Sequence, residues 1–282
     1  SEIERLLPML LDWAEDQQTN ISLPSLRIDG FSQELAARLN VLRRSGLTFA
    51  PEAGTQRLRD AINKNLSEEE ILDTARKAFS AGWTSVKDIE GIAELGQKIV
   101  DCYYQNPNRL KGKGVNVTIS VACFVPKPFT PFQWEPQDTI EVLQQKQKHL
   151  RNSLTTRKIT LRWHDASTSF LEGVIARGDR RLCGVMEEAF RRGCKRDAWS
   201  EHFNLNTWLE VMNDLNIDPH FYANRRREYD EILPWDHLNY GVTKAFLIKE
   251  NRLAHESRTT PNCRQNCSGC GAAGWGKGVC LE

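Results

Sequence analysis

The sequence carries almost no excess of either charge, and it contains no long apolar run or internal repeat. Its 38 lysine and arginine residues nearly balance 37 aspartate and glutamate residues, for a net charge of +1. This balance gives no global reason to expect a nucleic acid or an anionic membrane as partner. No apolar stretch approaches the roughly 20 residues that cross a bilayer, so no membrane partner is expected.

The first residues also lack the basic-then-apolar order of a signal peptide, since residues 1–11 carry acids early. We therefore expect a cytoplasmic location. What the sequence does contain is material for a sizeable core, with 40% hydrophobic residues, 8 tryptophans and 11 phenylalanines. Its 282 residues suit one large α/β domain or two smaller ones.

Strand and helix patterns alternate along the first 164 residues. Amphipathic helical patterns separate the short apolar runs at residues 21–28, 47–50, 83–86, 115–125 and 159–163. Residues 67–70, Ser-Glu-Glu-Glu, predict the capping box of a helix. This order is typical of a parallel sheet with crossover helices. We predict an α/β fold in which residues 1–164 form a partial (β/α) barrel of mainly parallel strands, favoured over an open sheet.

Helical patterns dominate the remainder of the chain. The clearest cover residues 170–176, 182–192 and 205–215, and they carry pairs and runs of arginine. Residues 165–255 are therefore predicted to form a mostly helical extension, followed by a glycine- and cysteine-rich tail at 256–282.

The eight cysteines fall into two groups. Four are scattered through apolar or helical contexts and are predicted to be small buried hydrophobes: Cys102, Cys123, Cys183 and Cys194. Four crowd into the tail and point to a metal site in a cytosolic protein: Cys263, Cys267, Cys270 and Cys280. Four thiolates suit structural zinc or an electron-transfer iron–sulfur cluster. Free thiols on the tail are the alternative.

The segment at residues 47–55, Leu-Thr-Phe-Ala-Pro-Glu-Ala-Gly-Thr, has the pattern of a ligand site. An apolar strand ends there, Pro51 stops its ladder, and Glu52 stands at the strand's carboxyl end. Gly54 would let the backbone approach a ligand before a helix begins. Parallel α/β folds bind ligands at that end of the sheet. Glu52 would hold an ammonium group there, or it would serve as an acid at the helix N-terminus.

Several of these segments together resemble a family of bacterial radical S-adenosylmethionine (SAM) proteins. That family has an amino-terminal B12-binding-like domain and no settled substrate. The resemblance extends over nearly the whole chain and is carried by residues 47–63, 125–134, 163–181 and 233–237. Their most specific stretches are the segment around Glu52, Phe-Val-Pro-Lys-Pro-Phe-Thr-Pro-Phe-Gln-Trp at 124–134 and Trp-His-Asp at 163–165.

The resemblance implies a partial barrel whose strand ends hold SAM against a [4Fe-4S] cluster. Glu52 and Gly54 would then bind SAM, with Arg27 facing the same cavity. Reductive cleavage of SAM would generate a 5′-deoxyadenosyl radical that abstracts hydrogen from an unknown substrate. The resemblance also implies an electron donor such as ferredoxin or flavodoxin, and it leaves room for cobalamin.

The sequence departs from the family in two places. The family's Cys-x3-Cys-x2-Cys cluster loop lies upstream of this chain's first residue, so the catalytic cluster ligands would lie outside it. An apolar strand that the family carries after Val86-Lys87 is absent, since Asp88 follows directly. We expect residues to be missing there, so that Lys87 and Asp88 lie farther apart than the about 3.8 Å of bonded Cα atoms. The tail cysteines repeat the cluster-loop spacing, but family members have a separate cysteine group at that later position.

Other polar residues are candidates for chemistry. His164 beside Asp165 could serve as a general acid or base, or the two could form a structural pair; the same holds for Asp236 and His237. The run at 177–181, Arg-Gly-Asp-Arg-Arg, would bind phosphate or form a solvated helix end. Lys127, in the proline loop, is a candidate contact for an anionic substrate.

A different class of function also fits the sequence. The arginine-rich helices and aromatic residues after residue 165 would suit a non-catalytic RNA-binding or protein-binding module with a structural zinc tail. Cysteines at cluster spacing upstream in the full gene would favour the enzyme.

The role assigned to Glu52 can be tested directly. Glu52→Ala in the full-length enzyme should weaken SAM binding by about 1.5–3 kcal/mol, the value of one charge-assisted hydrogen bond. Calorimetric titration measures this loss, and an unchanged SAM affinity would remove Glu52 from the site.

Overall fold

The computed structural model describes residues 9–10, 12–13, 47–48, 56–64, 66–80, 85–87, 93–109, 112, 114–261, 263 and 266–275. The chain divides into two compact units. The first comprises residues 1–122 and 148–163, and the second comprises residues 123–147 and 164–282. Residues 123–147, which precede the last strand of the sheet, thus group with the later helices.

Four strands form the sheet of the first unit: β1 (Leu47–Thr48), β2 (Ser85–Lys87), β3 (Asn116–Val121) and β4 (Ile159–Trp163). They lie in chain order, β1-β2-β3-β4, and each pairs in parallel with the next. The predicted parallel pairing is therefore confirmed for these four strands. The strand predicted at 21–28 lies outside the described residues, as does Asp88, so the expected gap after Lys87 stays a prediction.

Four helices join the strands: α1 (Gln56–Ala61), α2 (Glu68–Ser80), α3 (Ala93–Gln105) and α4 (Ile140–Asn152). The predicted capping box at the start of α2 is confirmed. The amide of Ser67 donates to Glu70 Oε2 at 2.7 Å, and the amide of Glu70 donates to Ser67 Oγ at 3.2 Å. Two amides that a helix start leaves without intrahelical partners are thereby satisfied.

The two faces of β3 and β4 differ in chemistry because side chains alternate along a strand. Helix α3 packs on one face through Gly96, where a Cβ atom would lie 2.4 Å from Ile119 Cδ1. Val117 and Ile119 on this face are completely buried. The other face carries the even-numbered, polar residues Asn116, Thr118, Ser120, Thr160 and Arg162. One sheet thus has an apolar helix-facing side and a polar side.

The second unit contains helices α5 (Ala166–Ala176), α6 (Leu182–Arg191), α7 (Leu205–Asp214), α8 (Pro219–Ala223) and α9 (Lys244–His255), with a 3₁₀ helix at Ala272–Trp275. Helices α5 to α7 agree with the predicted helical segments. Their core is an apolar cluster from α5 to α8: Phe170, Leu171, Val174, Leu182, Val185, Ala189, Trp208, Val211, Met212, Tyr222 and Ala223.

Two buried arginines connect the helices of this unit. Arg177, completely buried at the end of α5, donates from Nη1 to Ala223 O at 2.8 Å and from Nη2 to Arg225 O at 3.1 Å. Arg227, 2% exposed, donates back from Nη2 to Arg177 O at 2.7 Å. Burial, with Arg227 and Arg225 close by, lowers the pKa of Arg177 to about 10. These bonds use main-chain carbonyls at the helix ends or just beyond them, where intrahelical donors are lacking.

A second core lies between the proline loop and α9. It consists of Trp134, Leu233, Trp235 and Leu247, with Phe129 and Tyr229 packed against it. Helix α9 was not predicted from the sequence, because its inward side carries Glu250 and Asn251, 8% and 0% exposed. Buried polar residues interrupt the apolar repeat by which a helix is recognised.

The scattered cysteines follow the prediction only in part. Cys102 is buried as predicted, whereas Cys183 is exposed. The prediction is wrong for Cys183 because α6 buries Leu182, Val185 and Ala189, and residue 183 falls outside that stripe. Among the described residues, no helix combines the length and apolar composition that crossing a bilayer requires.

The close packing of α5 predicts opposite effects for two glycine-to-alanine substitutions. At Gly173 a Cβ would lie 2.1 Å from Oε1 of Gln137, a buried side chain whose Nε2 donates to Ser169 O at 2.8 Å. Gly173→Ala should therefore destabilise the protein by about 1–3 kcal/mol. At Gly184 in α6 the nearest atom would be 3.8 Å away, so Gly184→Ala should stabilise by up to about 1 kcal/mol. Urea unfolding of both variants measures the difference, and equal effects would refute the packing at Gly173.

Candidate functional site

Two of the three predicted SAM-binding residues follow β1 in the sequence. Glu52 and Gly54 lie between β1 and α1 in the sequence and, like Arg27, outside the part of the chain that the structure describes. Helix α1 beyond them is held by Arg59, completely buried, whose Nε donates to Leu66 O at 2.8 Å. The strand before Glu52 and the helix after it are therefore both present, as predicted.

The polar face of the sheet was missed by the sequence analysis. Ser120 pairs in register with Arg162 on β4, two residues after Thr118 and Thr160 pair. Arg162 is exposed, and its side chain makes no ion pair or hydrogen bond with any residue that the structure describes. Alternation along β3 would have found this face, because each apolar residue there is followed by a polar one. The arrangement offers hydroxyl groups and one cation towards the carboxyl ends of parallel strands.

His164 does not pair with Asp165. The Asp165 carboxylate instead caps α5, where Oδ1 accepts from the amide of Thr168 at 2.8 Å. The carbonyl of His164 accepts from Gln147 Nε2 at 3.0 Å, and its exposed ring has no hydrogen-bond partner in the described segments. A helix cap of this kind is a structural role. The catalytic role of His164 stays a prediction.

Most charged candidates of the proline loop and of the run at 177–181 are already paired, whereas the exposed side chain of Arg180 has no partner among the described residues. Lys127 Nζ bonds to Glu172 Oε1. Arg181 forms an ion pair with Asp179, with Nη2 and Oδ2 2.7 Å apart, and this guanidinium lowers the pKa of Asp179 to about 2. Arg177 is buried and bonded to carbonyls. The run begins at the end of α5, with Arg177 as its C-cap, and phosphate binding by the run stays a prediction.

A cavity of about 430 Å³ opens beside α9 in the second unit. Its aromatic walls are Phe129, Trp235 and Tyr240, and Phe129 and Tyr240 have ring centroids 4.3 Å apart. Asp236 and His237, noted in the sequence as a pair, also line it. The Asp236 carboxylate forms an ion pair with Lys244, with Oδ2 and Nζ 2.9 Å apart. Burial, reinforced by Asp236, raises the pKa of Tyr240.

The tail is attached to the start of α9 through Cys270. Its carbonyl accepts from the amide of Thr243 at 2.9 Å. Gly271 then turns with φ +101°, and a Cβ there would lie 2.7 Å from Thr243 Cγ2 and 3.0 Å from Gly241 O. Only glycine combines that dihedral with so close an approach. This hydrogen bond and the Gly271 turn form an anchor that holds Cys270 beside the start of α9.

Three of the four tail cysteines, Cys263, Cys267 and Cys270, lie among the described residues. Cys270 Sγ accepts from the amide of Ala272 at 3.4 Å, a hydrogen bond of the kind that supports ligating thiolates. Cys263 and Cys267 are exposed, and Cys280 lies outside the described residues. Nowhere in the described segments do three His, Cys, Asp or Glu residues gather as a metal site requires. The metal site at the tail cysteines therefore stays a prediction.

The first unit therefore belongs to the mixed α/β proteins with a parallel sheet. No protein-family model matches the chain, and no solved structure matches it. The chain is similar to an uncharacterised protein of Methanocaldococcus jannaschii, with 29% identity over 180 residues. The match covers 63% of this chain and 39% of that protein, so the chain spans well under half the length of this relative.

The anchor of the tail can be tested through one amide. Gly271→Ala should break the contact with Gly241 and Thr243, so that the Thr243 amide loses its bond to Cys270 and exchanges hydrogen faster. Gly274→Ala is the matched control, because no atom lies within 4 Å of a Cβ there. Hydrogen exchange of Thr243 that is equally slow in both variants would contradict the anchor.

Proposed function

We propose that the chain is part of a radical SAM enzyme, which cleaves SAM reductively at a [4Fe-4S] cluster to start radical chemistry on a still unidentified substrate. The observation that carries this proposal is the sheet β1-β2-β3-β4, parallel throughout and in unbroken chain order. This sheet adds to the sequence resemblance described above, and the segment around Glu52 that is central to that resemblance follows β1 in the sequence.

The strand order supports a barrel-type sheet. Parallel crossovers are almost always right-handed. When each strand lies on the same side of its predecessor, right-handed crossovers place every connecting helix on one face. A doubly wound sheet instead reverses its order and carries helices on both faces. The order β1-β2-β3-β4 has no reversal, which favours a partial (β/α) barrel.

The chemistry of the two faces points the same way. Val117 and Ile119 are buried towards α3, whereas Thr118, Ser120 and Arg162 alternate with the apolar residues on the opposite face. In a barrel the face without helices is the lumen. A lumen lined by hydroxyl groups and a cation suits a polar substrate, and its closure would exclude water from reactive species.

We assign SAM to the carboxyl end of this sheet, with Glu52 and Gly54 as binding residues and Arg27 beside them. A reduced [4Fe-4S] cluster supplies the electron for SAM cleavage. Its ligands are proposed to lie in an upstream Cys-x3-Cys-x2-Cys loop, and ferredoxin or flavodoxin would deliver the electron. Within this chain Glu52 would hold the SAM ammonium group by a charge-assisted hydrogen bond. Cobalamin stays an additional candidate through the resemblance alone.

The tail is proposed as a second metal centre, an iron–sulfur cluster in preference to zinc. The Cys267–Cys270 pair would provide two ligands, and Cys263 and Cys280 would complete the set. The support is the hydrogen bond from the Ala272 amide to Cys270 Sγ and the glycine turn after it. A fully ligated centre suits structure or electron transfer rather than SAM cleavage, which needs an open position.

The alternative of an RNA-binding module receives little support from the described ion pairs. Several of the arginines that motivated it are paired with acids, as in Arg181–Asp179, Arg192–Glu188 and Arg225–Glu231. Arg227 instead donates to the carbonyl of Arg177, and Arg180 makes no ion pair with the described residues. Paired guanidinium groups leave few cations to release phosphate counterions.

The decisive experiment uses the full-length protein. Anaerobic reconstitution with iron and sulfide, followed by SAM and a low-potential reductant, should yield 5′-deoxyadenosine. Serine variants of the upstream cluster cysteines should abolish this product. A reconstituted protein that carries a [4Fe-4S] cluster and forms no 5′-deoxyadenosine would refute the proposal.

The tail centre predicts a loss of metal. Cys267→Ser should lower the iron or zinc content of anaerobically purified protein by one centre, because two-residue cysteine pairs grip a single ion or cluster edge. Elemental analysis with visible absorption measures the change. Cys183→Ser, an exposed cysteine outside the tail, is the control and should keep the full content. A Cys267→Ser protein with unaltered metal would defeat the tail assignment.

A further inference from the structure

The cavity beside α9 contains a polar side chain that uses only one end of its amide within the described part of the chain. Gln133 lines this cavity and is only 2% exposed. Its Oε1 accepts from Trp235 Nε1 at 2.7 Å and from the amide of Phe129 at 3.1 Å. These two donors fix which end of the amide is oxygen. The Nε2 group therefore keeps two N–H donors that find no acceptor among the described residues.

The backbone at the cavity wall is held in an unfavourable conformation. Phe129 has φ +61°, in the left-handed region that bulky residues rarely adopt. Such a conformation costs of the order of 1–3 kcal/mol and is concentrated at functional sites. Here the bond from the Phe129 amide to Gln133 holds the turn, and the ring lies against Tyr240. The strained Phe129 and the buried Gln133 amide are thus directly connected by a hydrogen bond at the cavity wall.

Asp236 and Lys244, which both line the cavity, neutralise each other, and the other titratable residues of the lining are His237 and Tyr240. Asp236 Oδ2 accepts from the amide of Leu233 at 3.1 Å and pairs with Lys244. Lys244 Nζ also donates to Glu231 O at 3.0 Å. With both charges committed, the cavity provides aromatic faces and a neutral donor rather than a net charge. A charged ligand would lose hydration there without gaining a counterion.

We propose that this cavity binds a neutral, planar heteroaromatic ligand of the nucleobase class, with a ring carbonyl or ring nitrogen that accepts from Gln133 Nε2. The rings of Phe129 and Tyr240, which contact each other at an interplanar angle of 54°, together provide an aromatic surface on which such a ring can stack. The volume of about 430 Å³ lies in the range of small-molecule sites and accommodates a nucleoside. The inference rests on the second unit alone and goes beyond the proposed SAM chemistry.

The test measures binding of uridine and inosine to the purified chain by ligand-observed NMR and calorimetry. Both probes carry ring carbonyl acceptors, and indole, which is planar but lacks an acceptor, is the comparison ligand. We expect saturable binding of the nucleosides, at least tenfold tighter than that of indole. Indole binding as tight as uridine, or no nucleoside binding at all, would overturn the proposal.

Gln133→Glu is the discriminating variant. It keeps an oxygen for Trp235 and Phe129 but replaces the free donors with an acceptor, so nucleoside affinity should fall at least tenfold. Gln144→Glu, an exposed position on α4, is the matched control and should bind as the parent does. If Gln133→Glu does not fold, Tyr240→Ala takes its place as the test. It removes a stacking surface of the cavity at a residue that is 37% exposed, so it should lower nucleoside affinity without unfolding the protein. Undiminished affinity in whichever variant folds would refute the assigned contacts. Binding that survives Glu52→Ala distinguishes this site from the proposed SAM site.

Discussion

The packing of the helices in the second unit depends on two buried guanidinium groups, those of Arg177 and Arg227. Arg177 and Arg227 are at most 2% exposed, and their hydrogen bonds go to main-chain carbonyls rather than to carboxylates. These bonds join the end of α5 to the segment after α8, and the amide of Arg227 adds a bond to Trp134 O at 2.9 Å. A buried charge is costly unless its hydrogen bonds are made, so removing its acceptors would leave an uncompensated cation. The helical core and the core beside α9 are thereby joined through the side chains of Arg177 and Arg227 together with the Arg227 amide.

Much of the fold followed from periodicity, and its failures have physical causes. Strands β1 to β4 and helices α1 to α7 were predictable because their apolar residues recur at strand or helix spacing. The capping box before α2 was predictable because it is local in sequence. Helix α9 was not, since Asn251 is completely buried in place of an apolar residue and donates to Glu135 Oε1 at 3.0 Å. The hydrogen-bond acceptor for this buried amide, Glu135, lies 116 residues away in the sequence, so no local pattern predicts it.

The candidate sites divide in the same way. Glu52 could be singled out because a strand, a proline and a glycine surround it in sequence. The cavity could not, since residues near 130 and residues near 240 build it together. Nothing in the sequence indicates that Gln133 uses its oxygen twice and its nitrogen not at all. Lys127 was a reasonable candidate from its loop, but its neighbour Glu172 comes from a distant helix. Local patterns identify residue types, whereas pairing is decided by tertiary structure.

The separation of the two faces of β3 and β4 has an evolutionary consequence. Val117 and Ile119 are constrained by α3, where even a methyl group on Gly96 would collide. Thr160 and Arg162, on the other face of the same sheet, are exposed and can be exchanged at little cost in stability. We therefore expect substitutions to accumulate slowly at the packing positions of β3 and β4 and faster at the exposed positions that alternate with them.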